Sequence, residues 1–121
     1  MKIVIAGGQA GTRRAVSLYL RTRLGVEVVG ETGDLEVLMK LVKANQPDLI
    51  ILDTELPSLQ LSTLIPTLGR LDCPPAVIVL NGQSETEVEA LAAGADAFVY
   101  KGDHPKELLL AIQNLQFGRQ G

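Results

Sequence analysis

Pro47-Asp48-Leu49-Ile50-Ile51-Leu52-Asp53-Thr54-Glu55-Leu56-Pro57 is the stretch on which the fold turns. Leu49 to Leu52 form a continuous apolar run, not an alternating one, as a strand buried on both faces does. A sheet covered on both faces is a parallel sheet flanked by helices. Asp53 closes the run, so a rigid strand holds it at the crevice at the strand's end, which suits a nucleophile or a ligand. Taken alone, Asp53 also reads as a helix-capping or solvated aspartate.

Outward from this run the same units recur. Toward the N-terminus, Ile3 to Ala6 predicts a strand that follows Lys2 and opens into Gly7-Gly8-Gln9-Ala10-Gly11-Thr12. Ala15, Val16, Tyr19, Leu20 and Leu24 then recur at helical spacing. Val26 to Glu31 reads as a strand, and Leu35, Leu38, Leu41 and Val42 as a helix with Asp34 as its N-cap. Toward the C-terminus, Leu61, Leu64, Ile65 and Leu68 predict a helix that Pro66 kinks or shortens. Ala76 to Leu80 is a strand. Ser84 and Glu87 have the spacing of a capping box ahead of Val88 and Leu91. Ala97 to Tyr100 is the last strand, and Pro105 suits the first turn of a helix carrying Leu108, Leu109, Ile112 and Leu115.

Strict alternation of strand and helix gives an α/β fold, a doubly wound five-stranded parallel sheet with right-handed crossovers and five helices. In such sheets the working site lies beyond the carboxyl ends of the strands. The residues there are Gly7-Gly8, Glu31, Asp53 with Glu55, Asn81-Gly82 and Lys101. Lys101 can reach across this crevice to Asp53, although a lone lysine there reads as a surface residue.

Composition narrows the function classes. The 121 residues fit one domain. A net charge of −3 argues against nucleic-acid binding by this segment. The absence of Trp, with aromatics at 3%, argues against base-stacking platforms. A single cysteine, Cys73, excludes an internal disulfide and a multi-cysteine metal site, and is compatible with a reducing cytosol. The apolar run after Lys2 is too short for a signal-peptide core, and no run approaches the ~20 residues of a membrane helix.

Order and spacing together resemble the receiver domain of bacterial two-component response regulators. Val28-Val29-Gly30-Glu31 followed by Pro47 to Asp53 and Leu56-Pro57 is similar to the family's passage from second to third strand. Ala93-Gly94-Ala95-Asp96-Ala97-Phe98-Val99-Tyr100-Lys101 is similar to its fifth-strand signature, and Pro105 with Glu107-Leu108 to the start of its last helix. The resemblance implies a flavodoxin-like sheet of order 2-1-3-4-5. It also implies a cytoplasmic signalling domain that is not an enzyme and at most accepts a phosphoryl group. A receiver-like domain is expected over 1–117. Residues 118–121 are expected to begin a linker or tail, in the manner of receivers that precede a helix-turn-helix output domain. The partners implied are a sensor histidine kinase or another signalling protein, a second copy in a homodimer, and a helix-turn-helix domain outside this chain.

By the same resemblance Asp53 matches the phosphoacceptor and Lys101 the lysine that contacts the phosphoryl group. Asn81 stands where the family carries a switch Ser or Thr that also contacts phosphoryl, and Phe98 where it carries the switch aromatic. Gly7 and Gly8 stand where the family carries two acids that hold Mg²⁺. Glu55 lies where the family donates a main-chain carbonyl to the metal. Mg²⁺ needs hard oxygen ligands, and two glycines bring no side-chain oxygen. The expectation is weak Mg²⁺ binding, with Asp53 and Glu55 the only metal candidates, and slow or absent phosphorylation.

Two other readings arise from the glycines. Glycines at a helix entry expose N–H groups that favour anions. Gly7, Gly8 and Gly11, with Lys101 and Arg13, therefore form a candidate loop for phosphate or sulfate, the alternative being a merely relaxed loop. Gly7-Gly8-Gln9-Ala10-Gly11 after a first strand also suggests nucleotide binding, with Glu31 as a ribose-binding acid. The spacing fails, because Gln9 stands at the second glycine of the dinucleotide fingerprint, and Gly11 is followed by Thr12-Arg13, not by the lysine of a P-loop. His104 before Pro105 reads as a helix-start residue.

Overall fold

The computed structural model describes the backbone of residues 1–120 and the side chains of residues 1–115, so the side chains of the expected tail 118–121 lie outside the described residues. Along the chain come β1 (Lys2–Ala6), α1 (Ala10–Leu24), β2 (Glu27–Thr32), α2 (Leu35–Asn45) and β3 (Leu49–Asp53). They are followed by α3 (Leu61–Gly69), β4 (Ala76–Asn81), α4 (Ser84–Ala93), β5 (Ala97–Tyr100) and α5 (Lys106–Gln120). The strands form one parallel sheet in the order β2-β1-β3-β4-β5. This is the flavodoxin-like order.

The continuous apolar strands are explained by the pleat. Every residue of β3 is buried. Ile50 and Leu52 face one layer with Val4, Ala6, Val77 and Val79, covered by Leu38, Leu64, Leu68 and Ala90 of α2, α3 and α4. Leu49 and Ile51 face the other with Ile3, Ile5 and Ile78, covered by Leu20 of α1 and by Leu108 and Ile112 of α5. Side chains alternate across a strand, so a strand covered on both sides needs apolar residues throughout.

Local chemistry sets the helix ends. The Asp34 carboxylate accepts from the Val37 N–H at 3.0 Å, the N-cap expected of it. Nδ1 of His104 accepts from the Lys106 N–H at 3.1 Å, so His104 starts α5, with Pro105 directly before its first residue rather than inside its first turn. Gly25 ends α1 in the left-handed region at φ 63°. α3 runs through Pro66 and ends after nine residues.

The capping box at Ser84 and Glu87 does not form. α4 starts directly after Gln83 with no side-chain cap. Glu87 instead accepts a hydrogen bond from the Tyr100 hydroxyl at 2.8 Å. A tertiary partner has taken the side chain that local spacing assigned to a cap. Val88 and Leu91 stay 71% and 48% exposed, because α4 meets the sheet through the small, fully buried Ala90.

Candidate functional site

The carboxyl ends of β1, β3, β4 and β5 converge on one crevice. β3 delivers Asp53 there, 4% exposed. One carboxylate oxygen of Asp53 accepts from the Glu55 N–H at 2.9 Å. The other lies 2.7 Å from Nζ of Lys101. Lys101 follows β5, its N–H held by the Asn81 carbonyl at 2.9 Å. Its ammonium also lies 3.6 Å from a carboxylate oxygen of Glu55. Both oxygens of Asp53 thus have donors, and one cation sits between two carboxylates. Burial acts to lower the Lys101 pKa, but the hydrogen bond and charge of Asp53, with Glu55, outweigh it and leave it raised.

Gly7 and Gly8 close the crevice from the β1 side. Both take left-handed conformations, with φ 86° and 72°. The Gly7 N–H donates to the Thr32 carbonyl at 2.9 Å, and the Gly8 N–H to the Glu55 carbonyl at 2.7 Å. A Cβ on Gly7 would overlap the Asp53 carbonyl oxygen, and one on Gly8 would lie 2.7 Å from the Asp53 carboxylate. Both positions therefore favour glycine, Gly7 most strongly because it packs on the Asp53 main chain.

Most groups of the expected anion loop have protein partners here. The Gly7 and Gly8 N–H groups are committed to carbonyls and Lys101 is paired with Asp53, while Gly11 lies apart from them in the first turn of α1. Arg13 is committed as well. Its guanidinium donates to the Gly8 carbonyl at 2.6 Å and the Gly7 carbonyl at 3.4 Å. Its Nε lies 3.7 Å from Glu31, so the acid considered for a ribose faces an arginine.

Asn81, at the end of β4, is fastened on both sides. Its side-chain oxygen accepts from the Gln83 N–H at 2.8 Å, and its amide donates to the Thr54 hydroxyl. Phe98 is half-buried against the layer that contains α3 and α4, and meets Tyr100 edge-on with ring centroids 5.0 Å apart. Burial and the neighbouring acids follow the Glu87 hydrogen bond in raising the Tyr100 pKa.

A cavity of about 440 Å³ opens beside Asp53 and Lys101, with Val16, Tyr19, Pro105 and Leu108 in its walls. Among the described residues, no group of three or more His, Cys, Asp or Glu side chains is placed to hold a metal ion. None of the described helices is long and apolar enough to cross a membrane. Cys73 is exposed.

Asp53, Lys101 and Glu55, which the sequence singled out, come together here. Asn81 stands beside them through Thr54, and Phe98 lies apart, edge-on to Tyr100. Thr54 and Tyr100 were not singled out. A hydroxyl directly after Asp53, and an aromatic directly before Lys101, were the available signals.

The family model of the response regulator receiver domain matches residues 3–113. The uncharacterized transcriptional regulatory protein YhcZ of Bacillus subtilis is 31% identical over 93% of this chain and 54% of its own length. A probable transcriptional regulatory protein, NarL of Mycobacterium tuberculosis, is 26% identical over 98% of this chain and 56% of its own. The chain thus spans little more than half the length of these regulators. Among solved structures, the response regulatory domain of mrkE from Klebsiella pneumoniae superposes with a TM-score of 0.87 over the full length of both chains, at 24% identity. The chain belongs to the response regulator receiver domain family.

Proposed function

We propose that this receiver domain signals through protein–protein contacts, with Mg²⁺-dependent phosphorylation at Asp53 impaired or absent. The observation that carries the reading is the Gly8 N–H bonded to the Glu55 carbonyl at 2.7 Å, directly over an Asp53 already paired with Lys101.

Mg²⁺ demands near-octahedral oxygen coordination. Here positions 7 and 8 offer no carboxylate, and the Glu55 carbonyl is engaged. One Asp53 oxygen faces an ammonium group. The donor set does not fit the ion. In this reading Asp53 keeps the place of a phosphoacceptor, with Lys101 and Asn81 as its phosphoryl contacts. Asn81 and Phe98 keep the places of the switch pair. The Asn81 side chain is fastened by Thr54 and Gln83, and Phe98 has no hydroxyl to gain a hydrogen bond on moving. Both observations favour a domain that holds one conformation.

The partners we assign are a sensor histidine kinase or another signalling protein, a second copy of the chain, or an attached helix-turn-helix domain beyond the residues present. The similar transcriptional regulators, of which this chain spans little more than half, favour the last of these.

Incubation with acetyl phosphate and Mg²⁺, read by intact mass, tests the reading. No stoichiometric adduct is expected. A gain of one phosphoryl group that disappears in Asp53→Asn overturns it, as does calorimetric Mg²⁺ binding at millimolar concentration that is lost in Asp53→Ala.

A further inference from the structure

Arg13 has no part in the phosphoryl chemistry outlined above, yet its side chain is 14% exposed and placed against the crevice. Its backbone lies in the first turn of α1, where the Arg13 N–H meets the Gln9 carbonyl at 3.0 Å. Side chains of a helix lean toward its N-terminus, so the guanidinium folds back over the loop between β1 and α1. There Nη1 donates to the Gly8 carbonyl at 2.6 Å and the Gly7 carbonyl at 3.4 Å, while Nε faces Glu31 at 3.7 Å. The guanidinium also lies close to Gly33, where an added Cβ would stand 3.1 Å from Nη1. The loop after β1 is thus tied to the ends of β2 and to its following turn.

The two glycines are gripped from both sides. Their carbonyls face Arg13, and their N–H groups face the Thr32 and Glu55 carbonyls. Glycine has no side chain to fix such a loop and visits many backbone conformations. Something else must hold it down on Asp53. A planar, permanently charged fork with several donors suits that task, since it binds carbonyls and a carboxylate together.

We propose that Arg13 is a positioning residue that clamps Gly7 and Gly8 closed over Asp53, so that this arginine governs access to the Asp53 carboxylate. The inference stands whether or not Asp53 accepts a phosphoryl group.

Residue-resolved amide exchange on the whole chain tests it. In the wild type the Gly8 amide exchanges slowly. In Arg13→Ala it exchanges at least about tenfold faster, as loss of a charge-assisted hydrogen bond dictates, while Ile50 and Leu52 of β3 keep their protection. Arg13→Lys, with a charge but no fork, recovers part of the effect, and Glu31→Gln reproduces it in weaker form. These milder variants carry the test if Arg13→Ala does not fold. Unchanged Gly8 exchange in the variants overturns the proposal. So does acceleration of Gly8 and β3 by the same factor, because Arg13 would then support the fold as a whole.

Discussion

The Tyr100 hydroxyl donates to a Glu87 carboxylate oxygen across 2.8 Å, fastening the last residue of β5 to the first turn of α4. α4 otherwise meets the sheet through the small Ala90. The bond therefore adds an anchor for the first turn of α4 to the packing of that helix on α3. Tyr100→Phe is expected to lower the melting temperature and to speed amide exchange in the first turn of α4. Glu87→Gln, whose amide oxygen still accepts, is expected to do less. Equal protection of that turn in the wild type and Tyr100→Phe would contradict this.

The same bond gives an alkaline limit. Tyr100 has its pKa raised above the usual 10.0 by the Glu87 hydrogen bond first, then by burial and nearby acids. Lys101 is raised above its usual 10.5, burial opposing and Asp53 with Glu55 prevailing. A group with a raised pKa holds its proton more tightly in the folded chain. Its contribution is whole below the unfolded value and is lost as pH rises through the folded one. The urea midpoint should stay level between about pH 7 and 9 and fall above about pH 10. The fall should be shallower in Tyr100→Phe.

The glycines should separate sharply. Gly8→Ala forces a Cβ to 2.7 Å from the Asp53 carboxylate at φ 72°, and is expected to cost about 2 kcal/mol. Gly11, in α1 with open space around its Cα, should be stabilised by about 0.5 kcal/mol on change to Ala. Urea denaturation of the two variants checks the contrast, and similar midpoints would refute it.

Lys101→Met leaves the nearly buried Asp53 carboxylate without its 2.7 Å cation. Because the lysine side chain is 34% exposed, water recovers part of the loss, and about 1 kcal/mol of destabilisation is expected. In Asp53→Asn the same change at Lys101 should cost much less. A double-mutant cycle measures the difference, and additive effects would show that the pair contributes nothing.

The sheet was legible because its signal is local and redundant. Leu49 to Leu52, Ile3 to Ala6 and Ala76 to Leu80 each announce a strand covered on both faces, and Asp34 and His104 announce the helix starts they make. The meeting of Asp53 with Lys101 followed from both standing at carboxyl ends of parallel strands. What could not be read was the choice of partner wherever two partners compete. Glu87 has the spacing of a capping box, but Tyr100 reaches it from another element. Gly7 and Gly8 have the conformational freedom to offer N–H groups to an anion, but carbonyls of β2 and of the turn after β3 take them first. Arg13 was one of several cations that could serve that anion. Only the approach of helix α1 to the loop reveals that it faces carbonyls instead.

The strand order has a consequence for how the chain comes off the ribosome. β1 leaves the ribosome before β2 and β3, yet it lies inside the sheet, pairing Ile3 with Val28 on one side and with Leu49 on the other. Until Leu49 to Asp53 leave the exit tunnel, one edge of β1 has no neighbour and the backbone N–H and C=O groups along it lack their sheet partners. The second edge of β1 is therefore completed by the segment that carries Asp53. Completion of the sheet's centre and arrival of the crevice's aspartate are one event in the life of the nascent chain.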